Sequence, residues 1–274
     1  MPIIREEDKL IWGPYYEAVL NILGTTGLII PMGDSNRSAG DETTVTTVGE
    51  EQVVFTYEGT GVDAFATPPT IIGPAHIPLI TFNGTDEEVD SPDALFWSPN
   101  DAAGPPATAD VAFSLGLWIN PAAASDDMLI AKWDEGATTR EWMYALSGDA
   151  KPEFSLYDEN ANTSEIGEAT TAVTLNAMQF VVVTYDGAQA APDVNFYLNG
   201  AADGSGTTET GAYDAGQNTA ATVTLAMRKN SGTAADFYNG KMAGGPLGPF
   251  FVLAELSADK VKRLYQLGQV ALGV

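Results

Sequence analysis

Apolar and polar residues alternate in short segments from Leu79 to Gly268, and turn-forming residues separate these segments. Alternation with a period of two residues is typical of β-strands that bury one face. In residues 111–120, for example, every second side chain from Phe113 to Ile119 is large and apolar. A long series of such segments with turns between them predicts an all-β sandwich.

The predicted strands combine this alternation with β-branched and aromatic residues, and they lie at 111–120, 127–133, 142–146, 153–157, 179–185, 194–198, 222–228 and 247–253. Asn199 and Gly200 form the strongest predicted hairpin turn, because both central residues of such a turn need positive φ. A short helix is predicted to close the domain, with Ser257 as its N-cap and Gly268 at its C-terminal end.

The pattern differs in residues 1–75. Pro14 to Gly24 predict a short helix that has its proline in the first turn, and Glu51 to Glu58 predict a strand. Residues 64–78 are rich in proline, which predicts a stiff extended connector rather than a central strand. We therefore predict two parts, an N-terminal docking segment with its proline-rich linker at 1–75 and a sandwich domain at 76–274.

The N-terminal segment has too few apolar residues for a core of its own. It is expected to pack on the sandwich, on a neighbouring subunit or on the surface of a larger assembly. Its apolar residues are the candidate particle-docking residues, namely Trp12, Tyr15, Tyr16, Leu28, Ile29 and Ile30.

Charge and cysteine content narrow the classes of function. The chain has 12 Lys and Arg against 37 Asp and Glu, which gives a net charge of −25. An acidic coat repels phosphates, so we expect no binding of nucleic acid. The chain has no cysteine, which excludes disulfides, thiolate metal sites and thiol nucleophiles. Its apolar runs are too short for membrane insertion, and its N-terminal residues lack the basic and apolar regions of a signal peptide.

Several motifs follow one another in a characteristic order, namely FNG at 82–84, WINP at 118–121, IAKW at 130–133, VTYDG at 183–187, YLNG at 197–200, FYNG at 237–240 and LSADKVKRLY at 256–265. Together they resemble the laminin G-like, concanavalin A-like jelly roll related to pentraxins. The resemblance covers residues 77–268. It implies a jelly-roll β-sandwich of two antiparallel sheets, preceded here by an irregular N-terminal arm with a short helix.

The resemblance also implies a candidate calcium site, since jelly rolls of this type often hold a structural Ca²⁺ through loop carboxylates and carbonyls. The candidate ligands are Asp86 and the loop pair Asp126 and Asp127. One departure weakens this transfer, because residues 242–245 contain no carboxylate where the family has an acidic triplet. One histidine and no cysteine make a zinc site improbable.

No catalytic residue is predicted. Glu88 and Asp90 share one face of a strand and come nearest to the paired carboxylates of a glycosidase, but they are expected to lie on a solvated edge strand. The single histidine, His76, has no triad partners near it in the sequence. For a ligand or partner, the candidate aromatic residues near connecting segments are Trp97, Trp142 and Tyr213.

The favoured hypothesis is a non-enzymatic virion structural protein, a capsid decoration or spike subunit of a phage. Its N-terminal segment would dock on major capsid or other virion proteins, and its acidic jelly roll would face solvent at the virion surface, with homo-oligomers expected. The alternative is a carbohydrate-binding or adhesive module that attaches to surface glycans, on a bacterial cell surface or secreted by a non-Sec route. A glycoside hydrolase or lyase ranks third.

Overall fold

Two β-sheets face each other across one apolar layer in the computed structural model. The structure describes residues 6–33, 44–49, 51–58, 70–100, 107, 109–188, 194–205 and 208–274. The architecture is an all-β jelly-roll sandwich of two antiparallel sheets with a helix near each end of the described chain, which confirms the predicted fold class. Neither described helix is long and apolar enough to span a membrane.

The helices are α1 (Glu6–Leu23) and α2 (Ala258–Leu272), and the short 3₁₀ turns are η1 (Leu95–Trp97) and η2 (Gly245–Leu247). The strands in chain order are β1 (Gly27–Ile29), β2 (Thr44–Thr46), β3 (Val48–Gly49), β4 (Val54–Glu58), β5 (Thr70–Ile72), β6 (Ile77–Asn83), β7 (Glu88–Ser91), β8 (Phe113–Pro121), β9 (Asp127–Asp134), β10 (Thr139–Leu146), β11 (Pro152–Asp158), β12 (Thr163–Glu168), β13 (Gln179–Tyr185), β14 (Val194–Leu198), β15 (Ala201–Ser205), β16 (Thr208–Thr210), β17 (Val223–Leu225), β18 (Arg228–Asn230), β19 (Thr233–Ala235), β20 (Asn239–Ala243) and β21 (Phe250–Val252).

The first sheet, sheet A, runs in the order β15-β14-β13-β8-β20-β6-β5. Strand β21 pairs with the first half of β8 and also with β1, which in turn pairs with β3. The second, sheet B, runs in the order β16-β12-β11-β10-β9-β17-β7-β4-β2, with the β18–β19 hairpin attached to β9. All pairings except the short contact of β18 with β9 are antiparallel.

Aromatic side chains fill the layer between the sheets. Phe113 of β8 lies at the centre of this cluster, with ring centroids 5.5 Å from Phe251, 5.8 Å from Phe154 and 6.4 Å from Trp142. Trp142 and Phe154 come from sheet B, so these contacts join the two sheets directly. Such packing contributes through buried apolar area and through edge-to-face ring contacts.

The outer face of sheet A is covered by the two helices, which explains its continuous burial. Phe180 of β13 and Trp118 of β8 stack there with centroids 5.1 Å apart, and Tyr265 of α2 stacks on Trp118 at 5.6 Å. Strand β13 is buried on both faces as a result. The predicted strand at 179–185 is confirmed with the same bounds.

Both helix predictions were wrong at one end. Helix α1 begins at Glu6, so Pro14 lies in its interior and removes one helical N–H donor there rather than opening the helix. Helix α2 starts after the Ser257 N-cap as predicted, but it continues past Gly268 to a left-handed cap at Gly273. Gly268 has a packing role instead, because a Cβ atom there would overlap the Trp118 ring.

The N-terminal segment forms part of the sandwich. Strand β1 pairs with β21 in sheet A, and β4 pairs with β7 in sheet B. The predicted boundary at residue 75 falls in the turn between the paired strands β5 and β6. Of the three alternatives for residues 1–75, packing on the sandwich is therefore the one observed. The polar stretch from Ser35 to Thr47 predicts a loop, but its residues 44–46 form β2 because they pair with β4. Its residues 35–43, and residues 64–69 of the proline-rich connector, lie outside the described residues.

Two predicted strands are interrupted. The segment 222–228 divides into β17 and β18 at Ala226, whose φ of 64° breaks the ladder. The segment 247–253 begins with η2 and only its later part forms β21. The predicted hairpin between β14 and β15 is confirmed, because φ is 51° at Asn199 and 74° at Gly200.

Replacement of Trp12 tests whether the N-terminal segment stabilises the sandwich. Trp12 is 2% exposed and its indole Nε1 donates a hydrogen bond of 2.8 Å to the carbonyl oxygen of Ala75. Trp12→Ala is expected to lower the free energy of unfolding by roughly 3–5 kcal/mol, as in other buried large-to-small replacements. Urea denaturation measures this loss, with Val270→Ala at a 64% exposed position as the control. Equal stability of both variants would contradict the integrated fold.

Candidate binding surface

Four connecting segments meet at one end of the sandwich. Strands β7, β9 and β11 end there, and their antiparallel neighbours β10, β12 and β17 begin there. We call this region the loop end and define it as residues 92–100, 134–139, 158–163 and 211–222. Its longest segment, 211–222, has no helix or strand.

Asp110 fixes the irregular segment to the start of β8. Its Oδ2 accepts hydrogen bonds from the hydroxyls of Tyr213 at 2.6 Å and Tyr185 at 2.8 Å, and its Oδ1 accepts one from the Gly216 N–H at 2.9 Å. Burial raises the pKa of Asp110 to about 6 against these hydrogen bonds, with a smaller contribution from the nearby Asp158 carboxylate. The Asp110 carboxyl group thus joins the start of β8, the end of β13 and the segment 211–222.

Gln217 makes a second set of bonds within the same segment. Its Oε1 accepts a hydrogen bond of 2.8 Å from the Ala107 N–H, and its Nε2 donates to Asp158 Oδ1 at 3.2 Å. Asp158 in turn accepts from the N–H groups of Asn160 at 2.8 Å and Ala161 at 3.1 Å, which open the β11–β12 turn. Gln217 therefore links residues 211–222 to residues 158–163 and to Ala107.

A buried lysine makes the third set of polar contacts at the loop end. Lys132 of β9 is 0% exposed, and its Nζ contacts Glu141, Asp93 Oδ1 at 3.0 Å and the Thr219 carbonyl oxygen at 2.7 Å. Glu141 Oε1 also accepts from the N–H of Thr219 at 2.6 Å. Burial raises the pKa of Glu141, although the Lys132 ammonium and these hydrogen bonds favour its charged form. The ion pair fixes residues 92–100 and 211–222 to the sheet.

The outer surface beside these loops presents polar groups around an aromatic ring. The Arg140 guanidinium lies 3.6 Å from the centroid of the Tyr157 ring and forms a two-point ion pair with Glu159, at 2.6 and 3.0 Å. The Tyr157 hydroxyl donates to Asn162 Oδ1 at 2.7 Å. Trp133 supports Tyr157 edge-on at 5.5 Å and is itself 7% exposed. We call these five residues the Arg140 surface.

The aromatic residues predicted to bind a ligand lie beneath the loop end rather than on it. Trp97 is 0% exposed, Trp142 1% and Tyr213 6%. The Trp142 indole Nε1 donates a hydrogen bond of 2.7 Å to the carbonyl oxygen of Trp97, which holds η1 against the core. The predicted role as a contact face was wrong, because large aromatic rings near strand ends were needed to close the core.

The candidate calcium ligands lie at the opposite end. Asp86 accepts a hydrogen bond of 2.7 Å from Asn83 Nδ2, and buried Asp127 accepts one of 2.5 Å from the Ser125 hydroxyl. Burial raises the pKa of Asp127. Asp126 is exposed. Among the described residues, no group of three or more His, Asp or Glu side chains could hold a metal ion, so calcium binding stays a prediction.

The candidate docking residues are mostly unavailable to a partner. The exposed fraction is 2% for Trp12 and 5% for Tyr16, and Leu28, Ile29 and Ile30 are completely buried. Tyr15 is half-buried against the same helix layer. These side chains fill the protein's own core, which corrects their assignment as a particle-docking face.

The paired carboxylates of β7 are also placed differently from the prediction. Strand β7 lies between β4 and β17 inside sheet B and is not an edge strand. Glu88 Oε2 lies 3.0 Å from the Lys229 Nζ atom, and Asp90 Oδ2 lies 3.7 Å from it. The shared Lys229 ammonium offsets one of the two negative charges and so reduces the repulsion between the carboxylates.

Sequence reasoning missed the residues that fix the loop end. Lys132 belongs to the IAKW motif, but the motif does not show that its ammonium is buried. Asp110 and Gln217 lie outside the predicted strands, where no periodicity marks a residue as buried. A polar residue in an irregular segment becomes recognisable as structural only when its distant partners are known.

Asp110→Asn tests the buried carboxyl group. The pKa of Asp110 in the folded protein lies above its ordinary value of 3.8, so the folded state binds this proton more tightly than the unfolded state does. This stabilisation is complete below about pH 4 and is lost as the pH rises through about 6. Between these two pH values the wild type should lose up to roughly 3 kcal/mol more than Asp110→Asn. Urea titrations at both pH values measure the difference, and parallel losses would contradict it.

Lys132→Met tests the buried ion pair. The replacement leaves Glu141 buried without a cation, and we expect a loss of roughly 3–5 kcal/mol in the free energy of unfolding. Adding Glu141→Gln should recover part of the loss, because the neutral amide still accepts the Thr219 hydrogen bond. Thermal and urea unfolding of both variants give the comparison. A double variant less stable than Lys132→Met would rule out the charge as the cause.

Several proteins of known structure have a similar fold. The similar solved structures include domain 4 of AbnA, a GH43 extracellular arabinanase from Geobacillus stearothermophilus, in complex with arabinotriose. That match has a TM-score of 0.52 and 14% identity and covers 88% of this chain and 98% of that chain. A second match is a structure of botulinum neurotoxin type C, whose cell entry depends on interaction with two ganglioside molecules. It has a TM-score of 0.55 and 14% identity.

A third similar structure is the binding domain of botulinum neurotoxin DC in complex with SialylT, with a TM-score of 0.54 and 14% identity. The two neurotoxin matches cover 88% and 89% of this chain but 51% and 52% of the neurotoxin chains, so this chain spans about half of their length. At these identities the likeness concerns the fold. A search of curated protein sequences found no match.

The family assignment comes from the sequence itself. Residues 83–244 match the family model described as the concanavalin A-like lectin/glucanases superfamily, and they include most strands of both sheets. The model match and the observed jelly roll agree with each other. The chain therefore belongs to the concanavalin A-like lectin/glucanase superfamily.

Proposed function

We propose that the protein is a non-catalytic carbohydrate-binding module that contacts its glycan at the loop end. The fold is shared with a domain solved in complex with arabinotriose and with neurotoxin binding domains. Within this superfamily a binding role and a hydrolytic role are both represented, so the choice between them depends on the site. The described residues of this chain support the binding role.

The observation that carries the proposal is the set of three buried polar contacts beneath the loop end. Asp110, Gln217 and the Lys132–Glu141 pair hold a segment that has no secondary structure of its own. Burial of ionisable groups costs free energy unless each one is well paired. A fold that keeps such groups to fix loops gains a rigid surface, and rigid loops on a sandwich are the usual position of binding residues.

The chemistry of the partly exposed groups at the loop end suits a glycan. Sugar recognition uses hydrogen bonds to hydroxyl groups together with contact to an aromatic ring. The Arg140 surface supplies a guanidinium, a carboxylate and an amide around the half-buried Tyr157 ring. Exposed Asn160 and Asp214 from two neighbouring loops add further polar groups.

The carboxylates near the loop end favour binding over hydrolysis. Hydrolysis by a pair of acids needs both groups to face one open cleft. Asp158 and Glu165 are each 1% exposed, and Asp110 is occupied by two tyrosine hydroxyls. Glu159 is engaged by Arg140. These groups are therefore used to support the surface.

The virion hypothesis stays a prediction from the sequence. It includes capsid proteins as partners, a homo-oligomer and a position on the virion surface, and none of these follows from the fold. Its N-terminal docking contact is replaced by burial of the same side chains in the sandwich. An adhesive module that attaches to surface glycans agrees better with the structural relatives.

A glycan array with matched variants tests the proposal. Wild-type protein should retain at least one glycan, and Arg140→Ala or Tyr157→Ser should weaken that signal about tenfold or more, a loss typical of one central contact. Lys151→Ala is the control, because Lys151, in the β10–β11 turn at the opposite end, forms a more exposed ion pair with Glu168. It should bind like the wild type. An empty array, or equal loss in the control, would refute the proposed site.

A further inference from the structure

Positive charge is unevenly distributed over the described surface. The basic side chains outside α2 are mostly paired with carboxylates within 4.0 Å, namely those of Lys132, Arg140, Lys151, Arg228 and Lys229. Lys241 on β20 is the exception among the basic residues whose side chains the structure describes. In a chain with 37 acidic residues, such pairing is the expected state of a basic side chain.

Helix α2 departs from this rule. Lys260, Lys262 and Arg263 occupy its first two turns, and no described carboxylate lies within ion-pair distance of any of them. Lys262 and Arg263 are exposed and Lys260 is half-buried. The helix contains one acidic residue, Asp259, so its side chains carry a net charge of +2. We call the three basic residues the α2 basic patch.

We propose that the α2 basic patch binds an anionic polysaccharide, one that carries carboxylate or sulfate groups. Three cations within two helical turns, none of them paired with a described carboxylate, attract a polyanion, and the exposed Lys262 and Arg263 side chains can reach it. The patch lies on the helix that covers sheet A, whereas the Arg140 surface lies on sheet B. The chain would thus hold a glycan at two separate surfaces, one polar and one electrostatic.

The shape of the ligand follows from the charge of the rest of the chain. Without these three residues the net charge is −28, because −25 minus 3 leaves that value. A flat anionic membrane would bring much of this acidic coat within a Debye length, about 8–10 Å, and would be repelled. A linear polymer can lie along one helix and contact few other groups. A two-fold dimer through α2 would oppose cation to cation and is disfavoured for the same reason.

Nucleic acid is also a linear polyanion, and the choice of polysaccharide rests on the proposed function above. The exposed side of α2 offers Gln266 and Val270 beside the cations and no exposed aromatic ring on which a base could stack. Binding of single-stranded nucleic acid normally uses such rings. The patch therefore suits a sugar polymer better than an oligonucleotide.

The test is affinity measurement on the full chain with defined polymers, namely heparin and polygalacturonate as anionic probes, dextran as the neutral one and an oligothymidylate as the nucleic acid. At low ionic strength the wild type should bind an anionic polysaccharide, and binding should vanish at about 0.5 M NaCl because salt screens exposed charges. The variant K260Q/K262Q/R263Q should lose roughly tenfold or more in affinity. Lys241→Gln, which removes a lysine elsewhere that has no ion-pair partner among the described residues, should bind like the wild type.

Further variants and measurements distinguish a loss of charge from a loss of fold, and binding at the α2 basic patch from binding at the loop end. The charge-conserving variant K262R/R263K should bind normally, and circular dichroism should show an unchanged fold in all variants. The triple variant should still retain the neutral glycans that bind at the loop end. A wild type that binds neutral glycans but no anionic polysaccharide overturns the inference and leaves the proposed function intact. Full binding by the triple variant, or binding of oligothymidylate alone, also overturns it.

Discussion

The rest of the structure depends on the packing of Trp142 from sheet B against Phe113 and Phe251 from sheet A. The ring centroids lie 6.4 and 5.6 Å apart, so the two sheets touch through aromatic side chains. The polar end of the same Trp142 indole holds the Trp97 carbonyl group. One residue thus joins the apolar layer to the first segment of the loop end, and the position of the loops follows from the packing of the core.

The second constraint on the structure is the burial of charged side chains. It applies at the loop end, where the β-strands end. Irregular backbone has no ladder to satisfy its polar groups, so side chains must do so. Lys132, Glu141 and Asp110 supply these bonds to residues 211–222, and each carries a raised cost of burial that its partners offset. The loop end is therefore held by buried polar contacts, while the Arg140 surface beside it is half-buried and exposes Asn162.

The sequence allowed the strands to be predicted well, because alternation and turn chemistry are local. Strands 179–185 and 194–198 agree with the structure residue for residue. The functional predictions failed where the answer depends on distant contacts. Trp97 and Trp142 are of a residue type that stacks on sugar rings, but both side chains are buried in the folded protein. The sequence suggests that Gly268 ends the helix, but the structure shows that a glycine is needed there because a Cβ atom would overlap the Trp118 ring.

The central claim is that fixed loops at one end of this sandwich recognise a glycan. Hydrogen–deuterium exchange, measured with and without the glycan that gives the strongest array signal, tests it most directly. The account predicts that bound glycan slows exchange in residues 134–139, 158–163 and 211–222 and leaves the turn at 147–151 unchanged. Protection confined to that opposite turn, or no change at the loop end on binding, would contradict the account.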